Sequence, residues 1–293
     1  MRFTRNALSS CVARRIVLAF VVASLLPLLF FASGAYMQVS DELRRQAADN
    51  IRQQAKQHGM EVYDRLQVLG DELQILGATA EPGEPLEQRI PGLSLRNRIA
   101  SLFWLEVKGD NVASGLPAAL QQTLRDRALD LHRRHLLVWP RADDQNARLF
   151  LALAQPDRNG TWLVAELEPE YLWSTSGITE SPDLTCVLGP GGEVIKCSRK
   201  PDEGWLDKVR RMALHRAPTQ QLDSDSGGAS YLTSVWGLFI KPHFKIDYWY
   251  FAVGADLDDV LAPLRLFQIL APLVVAFVLL LTVLLSIRLV RSN

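Results

Sequence analysis

Two histidines near the middle of the sequence are the first residues whose spacing could do chemistry. His132 and His135 lie three residues apart, a spacing that can hold a metal ion on a helix. Arg133 and Arg134 stand between them, and no carboxylates follow at ligand spacing. A solvated C-terminal end of a helix is therefore the favoured interpretation, and we predict no metal site.

Carboxylates, glycines and hydroxyls give no stronger signal for chemistry. Calcium needs more ordered oxygen ligands than the acids within 143–144 and 256–259 provide, so the second group is expected to cap a linker helix or to lie at a membrane surface. The glycine-rich stretch 189–192 lacks the Lys-Ser/Thr pair of a phosphate loop, and no nucleophile elbow is present. We predict no catalytic residue and no cofactor here, although an output enzyme domain could follow in a longer gene product.

One set of aromatic and charged residues suits a small-molecule ligand better than catalysis. Ligand sites combine aromatic walls with a few placed charges. The members come from different predicted elements and are Trp104, Trp139, Arg141, Trp162, Glu166 and Tyr171. Aromatic residues on strands also form ordinary core, and this alternative stays open. If Glu166 reads a cationic ligand group, Glu166→Gln should weaken binding and leave folding nearly unchanged.

Two apolar stretches anchor the elements that carry this set. Leu266 to Ile287 contains 22 residues without a charge, which as a helix is about 33 Å long and can cross a bilayer core of roughly 30 Å. We predict a transmembrane helix within 263–288 and the start of a cytoplasmic region at 289–293. Residues 16–36 predict a first transmembrane helix. A signal peptide cleaved near Ser33 is the less favoured alternative, because the apolar run is longer than a usual signal core.

Arginines flank both apolar stretches and the middle of the chain is acidic. The six at the ends are Arg2, Arg5, Arg14, Arg15, Arg288 and Arg291. Removing them from the 32 basic residues leaves 26 against 32 acidic residues, a net charge of −6 for the middle. The pattern predicts a basic cytoplasmic tail at 1–15, residues 37–262 in the periplasm, and two passes through the bacterial inner membrane. An acidic middle argues against a nucleic-acid partner.

A long amphipathic helix follows the first apolar stretch. Its apolar residues recur every four residues from Val39 to Ile51 and at alternating steps of four and three from Val62 to Leu76. This predicts a stalk helix and linker over 37–96, ended by Pro82 and Pro85. The helix could pack on its own domain, pair with its twin in a homodimer, or do both.

Two α/β lobes are predicted after the stalk, over 97–182 and 183–262. In the first lobe, the strand candidates are 102–108, 136–139, 148–154 and 162–167, with helices at 116–134 and 170–174 and a hairpin loop at 155–160. In the second lobe, the strand candidates are 184–188, 193–198, 231–241 and 248–254, with a helix at 204–215 and a loop at 224–228.

The first hairpin of the second lobe predicts a disulfide. If the turn pairs Gly189 with Val194, Cys186 faces Cys197 directly, within disulfide reach. A periplasmic location favours an oxidised pair, whereas Cys11 in the basic tail is expected to be free.

Three segments resemble the double Cache sensor domains of bacterial receptors. TCVLGPGGEVIKCS is similar to the first hairpin of a PAS-like lobe, WGLFI followed by WYFAVG to its closing strands, and GTWLVAELEPEYL to the last strand and exit helix of the first lobe. The resemblance implies an α+β fold with two PAS-like (Cache) lobes in series on a long N-terminal helix, flanked by two transmembrane helices. It further implies a ligand-sensing input module.

The resemblance also bears on the ligand and the output. Amino-acid-reading members use an acid at the position of Glu166 and an upstream Arg-x-Trp-Tyr set, which is absent here, so amino-acid recognition is not expected. Residues 13–46 resemble the start of cyclic-di-GMP signalling proteins with GGDEF or EAL domains, and neither motif occurs in the chain. We expect the ligand in the first, membrane-distal lobe and a rigid transmitter in the second. The alternatives are a membrane-anchored periplasmic scaffold that binds a partner protein, and the input module of a histidine kinase or chemoreceptor.

Overall fold

The computed structural model describes most of the chain in nine segments. They are residues 11–79, 97–106, 116–126, 136–141, 148–155, 161–173, 183–215, 219–226 and 229–292. The chain divides into two compact units: one contains the ends, up to Ala47 and from Leu257, and the other runs from Ala48 to Asp256.

A single long helix, α1 (Cys11–Thr79, 69 residues), opens the described chain. Within the second unit its apolar stripe is buried, at Ile51, Ala55, Val62, Leu66, Leu69, Leu73 and Leu76. The predicted stripe from Val62 to Leu76 is therefore confirmed as the face that packs on the domain. The predicted terminators Pro82 and Pro85 lie outside the described residues.

The first lobe contains a four-stranded antiparallel sheet. Its elements in chain order are β1 (Ile99–Glu106), α2 (Ala118–Asp126), β2 (Leu136–Arg141), β3 (Arg148–Gln155), β4 (Thr161–Leu167) and α3 (Pro169–Trp173). The strands lie in the order β1-β4-β3-β2. β1 begins earlier than predicted, and the last two residues of the predicted strand, 107–108, lie outside the described residues. The predicted helix over 116–134 is seen as α2, and its last eight residues lie outside the described chain.

β3 and β4 are buried on both faces, which explains their nearly continuous apolar sequence. Every residue from Leu149 to Gln155 and from Thr161 to Leu167 is buried. The two strands pair from Gln155 opposite Thr161 to Leu149 opposite Leu167, as the predicted hairpin requires. Residues 156–160, which connect them, are not among the described residues.

The second lobe contains a five-stranded antiparallel sheet. Its elements are β5 (Leu184–Leu188), β6 (Val194–Cys197), α4 (Glu203–Leu214), β7 (Thr219–Ser226), β8 (Ala229–Phe239), α5 (Lys241–Phe244) and β9 (Tyr248–Asp256). The strand order is β6-β5-β9-β8-β7, so the last strand lies at the centre. The side chain of Asp202 caps α4 by accepting hydrogen bonds from the backbone of Gly204 and Trp205.

The expected loop at 224–228 is wrong for its first three residues, which belong to β7. This strand has the sequence TQQLDSDS and lies at the edge of the sheet, paired with β8 alone. Edge strands tolerate polar and charged residues, because one side of the backbone has no neighbour. The polar composition of β7 is therefore similar to that of a loop.

The first hairpin of the second lobe has the predicted cysteine pairing with a different turn. Cys186 is the cross-strand partner of Cys197, and the two form a disulfide. The predicted pair of Gly189 with Val194 is wrong: a bulge shifts the register so that Leu188 faces Val194. The amide of Gly189 donates to the carbonyl of Glu193 at 2.8 Å, and Gly192 takes a positive φ of 80° in the turn.

The other unit consists of the start of α1 together with α6 (Leu257–Val260) and α7 (Ala262–Ser292). Two described helices are long and apolar enough to cross a membrane, over Val21–Thr79 and Ala262–Leu285. Large apolar side chains on both are exposed, among them Phe30, Phe31 and Phe277. Such a surface is unfavourable in water and suits a lipid environment.

Candidate ligand-binding site

The sheet of the first lobe has two faces covered by different helices. On one face lies α1, because a Cβ atom at Gly77 would contact the side chains of Leu153 and Gln155. On the other face lies α2, whose Leu120 and Leu124 pack in one core cluster with Phe150 of β3. Alternation along the strands then assigns each predicted site residue to a face.

Trp162 and Trp104, two of the predicted ligand residues, lie on opposite faces of the sheet. Trp162 is 2% exposed and belongs to the α2 cluster. Trp104 is the cross-strand partner of Leu163, which in turn pairs with Leu153 on the α1 face. The sheet therefore separates the two indoles, and Trp162 fits the core interpretation that the sequence left open.

Glu166 is on the α2 face and is 7% exposed. Its Oε1 atom forms an ion pair with Nε of Arg148 at 2.9 Å, and its Oε2 atom accepts a hydrogen bond from Oγ of Ser101 at 3.3 Å. Burial of a carboxylate is unfavourable without such partners. Both carboxylate oxygens are thus engaged inside the protein.

Trp139 and Arg141 are defined by their backbone positions on β2. Trp139 lies opposite Phe150, which lies opposite Glu166 on the next strand, and Arg141 lies opposite Arg148. The register therefore gathers Trp139, Arg141, Arg148 and Glu166 toward one end of the sheet. Four of the six predicted residues, Trp139, Arg141, Trp162 and Glu166, come from β2 and β4.

Tyr171 lies away from this group and attaches α3 to the stalk helix. The guanidinium of Arg98 is 5.2 Å from the centre of its ring and that of Arg65 is 5.8 Å away. Arg65 also donates to the backbone carbonyls of Tyr171 and Leu172 at 3.0 Å. Arg98 forms an ion pair with Glu72 of α1 at 2.7 Å. These contacts give Tyr171 a structural role.

In the second lobe, Trp205 fills the space between the sheet and α4. Its side chain is fully buried, and its Nε1 donates to Oγ1 of Thr233 on β8 at 2.8 Å. A Cβ atom at Gly254 would lie 3.1 Å from Nε1 of this indole, so glycine at that position makes room for the ring. The cluster around Trp205 is core.

Other candidate clusters lie partly outside the described chain. His132, His135 and the acids within 143–144 fall in undescribed stretches. Asp258 and Asp259 are exposed on α6. The described residues contain no group of three or more His, Cys, Asp or Glu side chains that could hold a metal ion.

Arg148 and Ser101 are the functional candidates that sequence reasoning missed. The sequence did contain a signal for Arg148. A hairpin that pairs Gln155 with Thr161 also pairs Phe150 with Glu166. Arg148 precedes Phe150 by two residues on the same strand and therefore lies on the same face of the sheet as Glu166. Ser101 has no such signal, because a β1 irregularity between Ile99 and Ser101 sets its register.

No family model matches the sequence, and a search of curated proteins finds no match. Solved structures do share the fold. The extracellular domain of a protein described as a histidine kinase, rpHK1S-Z16, superposes with a TM-score of 0.50 at 15% identity, covering 74% of this chain and 97% of that one. The sensory domain of the Campylobacter jejuni chemoreceptor Tlp3 gives 0.51 at 12% identity, covering 75% and 98%. The same domain with isoleucine bound gives 0.50 at 11% identity, covering 75% and 97%.

The chain therefore has the fold of extracellular sensory domains. The predicted fold class is confirmed: a mixed α+β architecture with a long N-terminal helix and two antiparallel sheets. At these sequence identities the likeness defines the fold, and the ligand of a neighbour does not transfer to this chain.

Proposed function

We propose that the chain is the extracytoplasmic ligand-sensing input module of a bacterial transmembrane receptor. A small molecule binds the first lobe, the second lobe transmits, and α7 carries the signal across the membrane. The observation that carries the proposal is the path of the chain, because β9 is the central strand of the second sheet and continues through α6 into the apolar helix α7. A shift of the second sheet therefore acts directly on α7.

Aromatic contacts join the two lobes and supply a route for that shift. The indole of Trp173, at the end of α3, is 6.5 Å from that of Trp249 on β9. The stalk helix also contacts the second lobe: Tyr63 of α1 makes an edge contact with Phe244 of α5, and its hydroxyl is 3.0 Å from Nδ1 of His243. A rearrangement in the first lobe would thus reach β9 through packed rings.

Two features of the second lobe support its proposed role as the transmitter. Trp205 occupies its interior, and the disulfide between Cys186 and Cys197 ties β6 to β5. Both features oppose a change in the shape of the sheet. We accordingly place the ligand site in the first lobe, where the ion pair of Glu166 and Arg148 reaches solvent.

The ligand test is a thermal-shift screen of the full chain in detergent with small molecules of all charge types. We expect a compound that raises the melting temperature with concentration, and a smaller shift in Trp139→Ala and Glu166→Gln. Leu214→Ala, at an exposed position of α4, is the control and should keep the full shift. A shift that survives both first-lobe changes undiminished contradicts this placement.

The membrane topology is a second part of the proposal, with both termini in the cytoplasm and residues 37–262 in the periplasm. It is supported by the flanking arginines and by the exposed apolar surfaces of α1 and α7. A reporter that fluoresces only in the cytoplasm should light up when fused after Asn293. A dark fusion together with an active periplasmic reporter at the same point would contradict the second membrane pass.

We also propose a homodimer that pairs through α1. The outward face of this helix carries Met60, Val68 and Ile75, which are 40%, 43% and 62% exposed, whereas the opposite face is buried. A Val68→Cys variant in a Cys11→Ser background should form an intermolecular cross-link. Arg52→Cys is the matched control, because it is also exposed but lies about 160° from Val68 and about 140° from Ile75 around the helix. Equal cross-linking at both positions would argue against this face.

The cytoplasmic output is cyclic-di-GMP turnover in our proposal, on the strength of the resemblance of residues 13–46. Because the structural neighbours include a chemoreceptor and a protein described as a histidine kinase, these outputs are the alternatives. The gene beyond codon 293 decides among them.

A further inference from the structure

We propose that the site in the first lobe binds a small organic anion through a carboxylate group, with Arg148 as the binding residue and Glu166 as its positioning residue. This inference rests on the proposed sensory function. It replaces the expectation that Glu166 reads a cationic group.

The state of Glu166 is the first argument. One carboxylate oxygen is paired with Arg148 and the other accepts from Ser101, at a position that is 7% exposed. A cationic ligand would have to displace a guanidinium that the chain holds 2.9 Å away. A tethered partner has a high effective concentration, so a free ammonium group competes poorly with it. Glu166 is thus satisfied before any ligand arrives.

The geometry of Arg148 is the second argument. The guanidinium has five N–H donors, and the ion pair uses the one on Nε. The side chain is 50% exposed, so its Nη groups can reach a ligand from solvent. Among the described residues, this guanidinium pairs with Glu166 alone. A guanidinium that is fixed at Nε presents its remaining donors in the fork geometry that matches a carboxylate.

The charge at this register position is the third argument. Arg141 on β2 lies directly opposite Arg148 on β3. Like charges at opposed positions of an antiparallel pair are destabilising. The register therefore places two arginine positions at this end of the sheet, next to the position of Glu166. By residue type, this pair of opposed strand positions favours an anion over a cation.

The position of the pair within the sheet is the fourth argument. Toward the other end of the same face, Phe150 and Ala154 are fully buried in the α2 cluster. Arg148 is two residues before Phe150 and half exposed. The ion pair therefore lies where the dry core meets solvent, so a ligand carboxylate would meet a partly desolvated guanidinium. Such charge-assisted hydrogen bonds are stronger than those in open water.

The test uses the full chain in detergent and matched probes with one carbon skeleton. Thermal shift and calorimetry compare a dicarboxylate with the corresponding diamide and diamine: succinate, succinamide and 1,4-diaminobutane. The two- to six-carbon homologues of each are also tested. We expect a carboxylate to bind and its amide and amine counterparts to bind at least about tenfold more weakly, the range for losing a charged hydrogen bond. Binding by the amines in preference to the carboxylates overturns the proposal.

Variants separate the roles of the two residues. Arg148→Gln should abolish the carboxylate shift, and Arg148→Lys should keep part of it. Arg210→Gln is the control, because Arg210 is a partly exposed arginine in an ion pair with Asp207 on α4 of the other lobe. Arg148→Gln leaves Glu166 buried without its partner and could unfold the lobe. The double variant Arg148→Gln/Glu166→Gln removes both charges and keeps the test valid if the single variant fails to fold.

The positioning role of Glu166 has its own readout. Glu166→Gln should weaken carboxylate binding in the wild-type background and have no further effect in the Arg148→Gln background, because it acts through Arg148. Equal effects in both backgrounds contradict the positioning role. A carboxylate that binds Arg148→Gln as tightly as wild type overturns the inference. If uncharged or cationic compounds alone bind the first lobe, the sensory function stands and the anion inference fails.

Discussion

Gly59 of α1 lies directly against the indole ring of Trp236 on β8. A Cβ atom at Gly59 would overlap the ring at its Cζ3 atom and lie 3.1 Å from Cδ2 of Phe251 on β9. Glycine in the interior of a helix is unfavourable by about 1 kcal/mol relative to alanine. The close approach of the stalk helix to the second sheet offsets this cost, so Gly59 is a packing residue.

Replacement of Gly59 by alanine should lower stability although alanine favours helix. The gain in helix propensity is about 1 kcal/mol, and the overpacking of a rigid indole costs about 1–3 kcal/mol, so the expected loss reaches about 2 kcal/mol. Denaturant unfolding of the full chain measures it. Gly77→Ala is the matched comparison, because its Cβ would meet the amide end of Gln155, which can rotate away. A Gly59→Ala protein more stable than wild type would contradict the role of Trp236.

The sequence predicted those elements whose signal is local. The stripe from Val62 to Leu76 has helical spacing, and the apolar runs of β3 and β4 are separated by a polar loop. The facing of Cys186 and Cys197 also followed from a short hairpin. The predicted cysteine pairing is correct although the predicted turn register is wrong, because the bulge lies between the cysteine pair and the turn.

The elements that were missed depend on tertiary neighbours. β7 is polar because it lies at a sheet edge, and α5 has four residues, too few for a helical period. Within the candidate site, Trp104 on β1 and Trp162 on β4 are tryptophans on two strands that pair with each other. Their assignment to opposite faces depends on the register between β1 and β4. Because more than fifty residues separate the two strands in the chain, the sequence does not reveal this register.

Two buried threonines in the second sheet should respond oppositely to the same substitution. Thr233 accepts a hydrogen bond from Nε1 of Trp205, whereas Oγ1 of Thr185 has no hydrogen-bond partner among the described residues. Thr233→Val leaves the indole N–H buried and unpaired, so we expect a loss of about 1–3 kcal/mol. Thr185→Val removes an unsatisfied hydroxyl and should be neutral or stabilising. Thermal unfolding of both variants measures the difference, and equal losses would contradict the assigned hydrogen bond.

The disulfide should stabilise the second lobe and be resistant to labelling. The sequence contains 3 cysteines, and Cys186 is bonded to Cys197. A thiol reagent applied to the unreduced, denatured chain should therefore modify one cysteine, Cys11, and three after reduction. The bond closes a loop with a sequence separation of 11, so its loss in Cys186→Ala/Cys197→Ala should lower stability by about 3 kcal/mol. Two further reactive thiols before reduction would contradict the bond.

The two apolar helices should cross-link at one polar contact. Oγ of Ser24 on α1 lies 3.5 Å from Oγ1 of Thr282 on α7, and farther along the pair the amide of Gln268 donates to the hydroxyl of Tyr36 at 3.4 Å. Polar contacts between helices are favourable in lipid, where no water competes for them. Ser24→Cys/Thr282→Cys in a Cys11→Ser background should therefore form an intramolecular disulfide in membranes under mild oxidation.

The matched control for this cross-link is Ser33→Cys/Thr282→Cys. Ser33 is also on α1, but it lies nine residues from Ser24, about 13 Å along the helix, which is beyond the reach of a disulfide. Equal rates for the two pairs would contradict the packing of α1 on α7. A compound that binds the first lobe should also change the cross-linking rate of the Ser24 pair, because transmission through β9 and α7 requires that α7 shift relative to α1. A rate that stays constant at saturating compound would argue against that transmission.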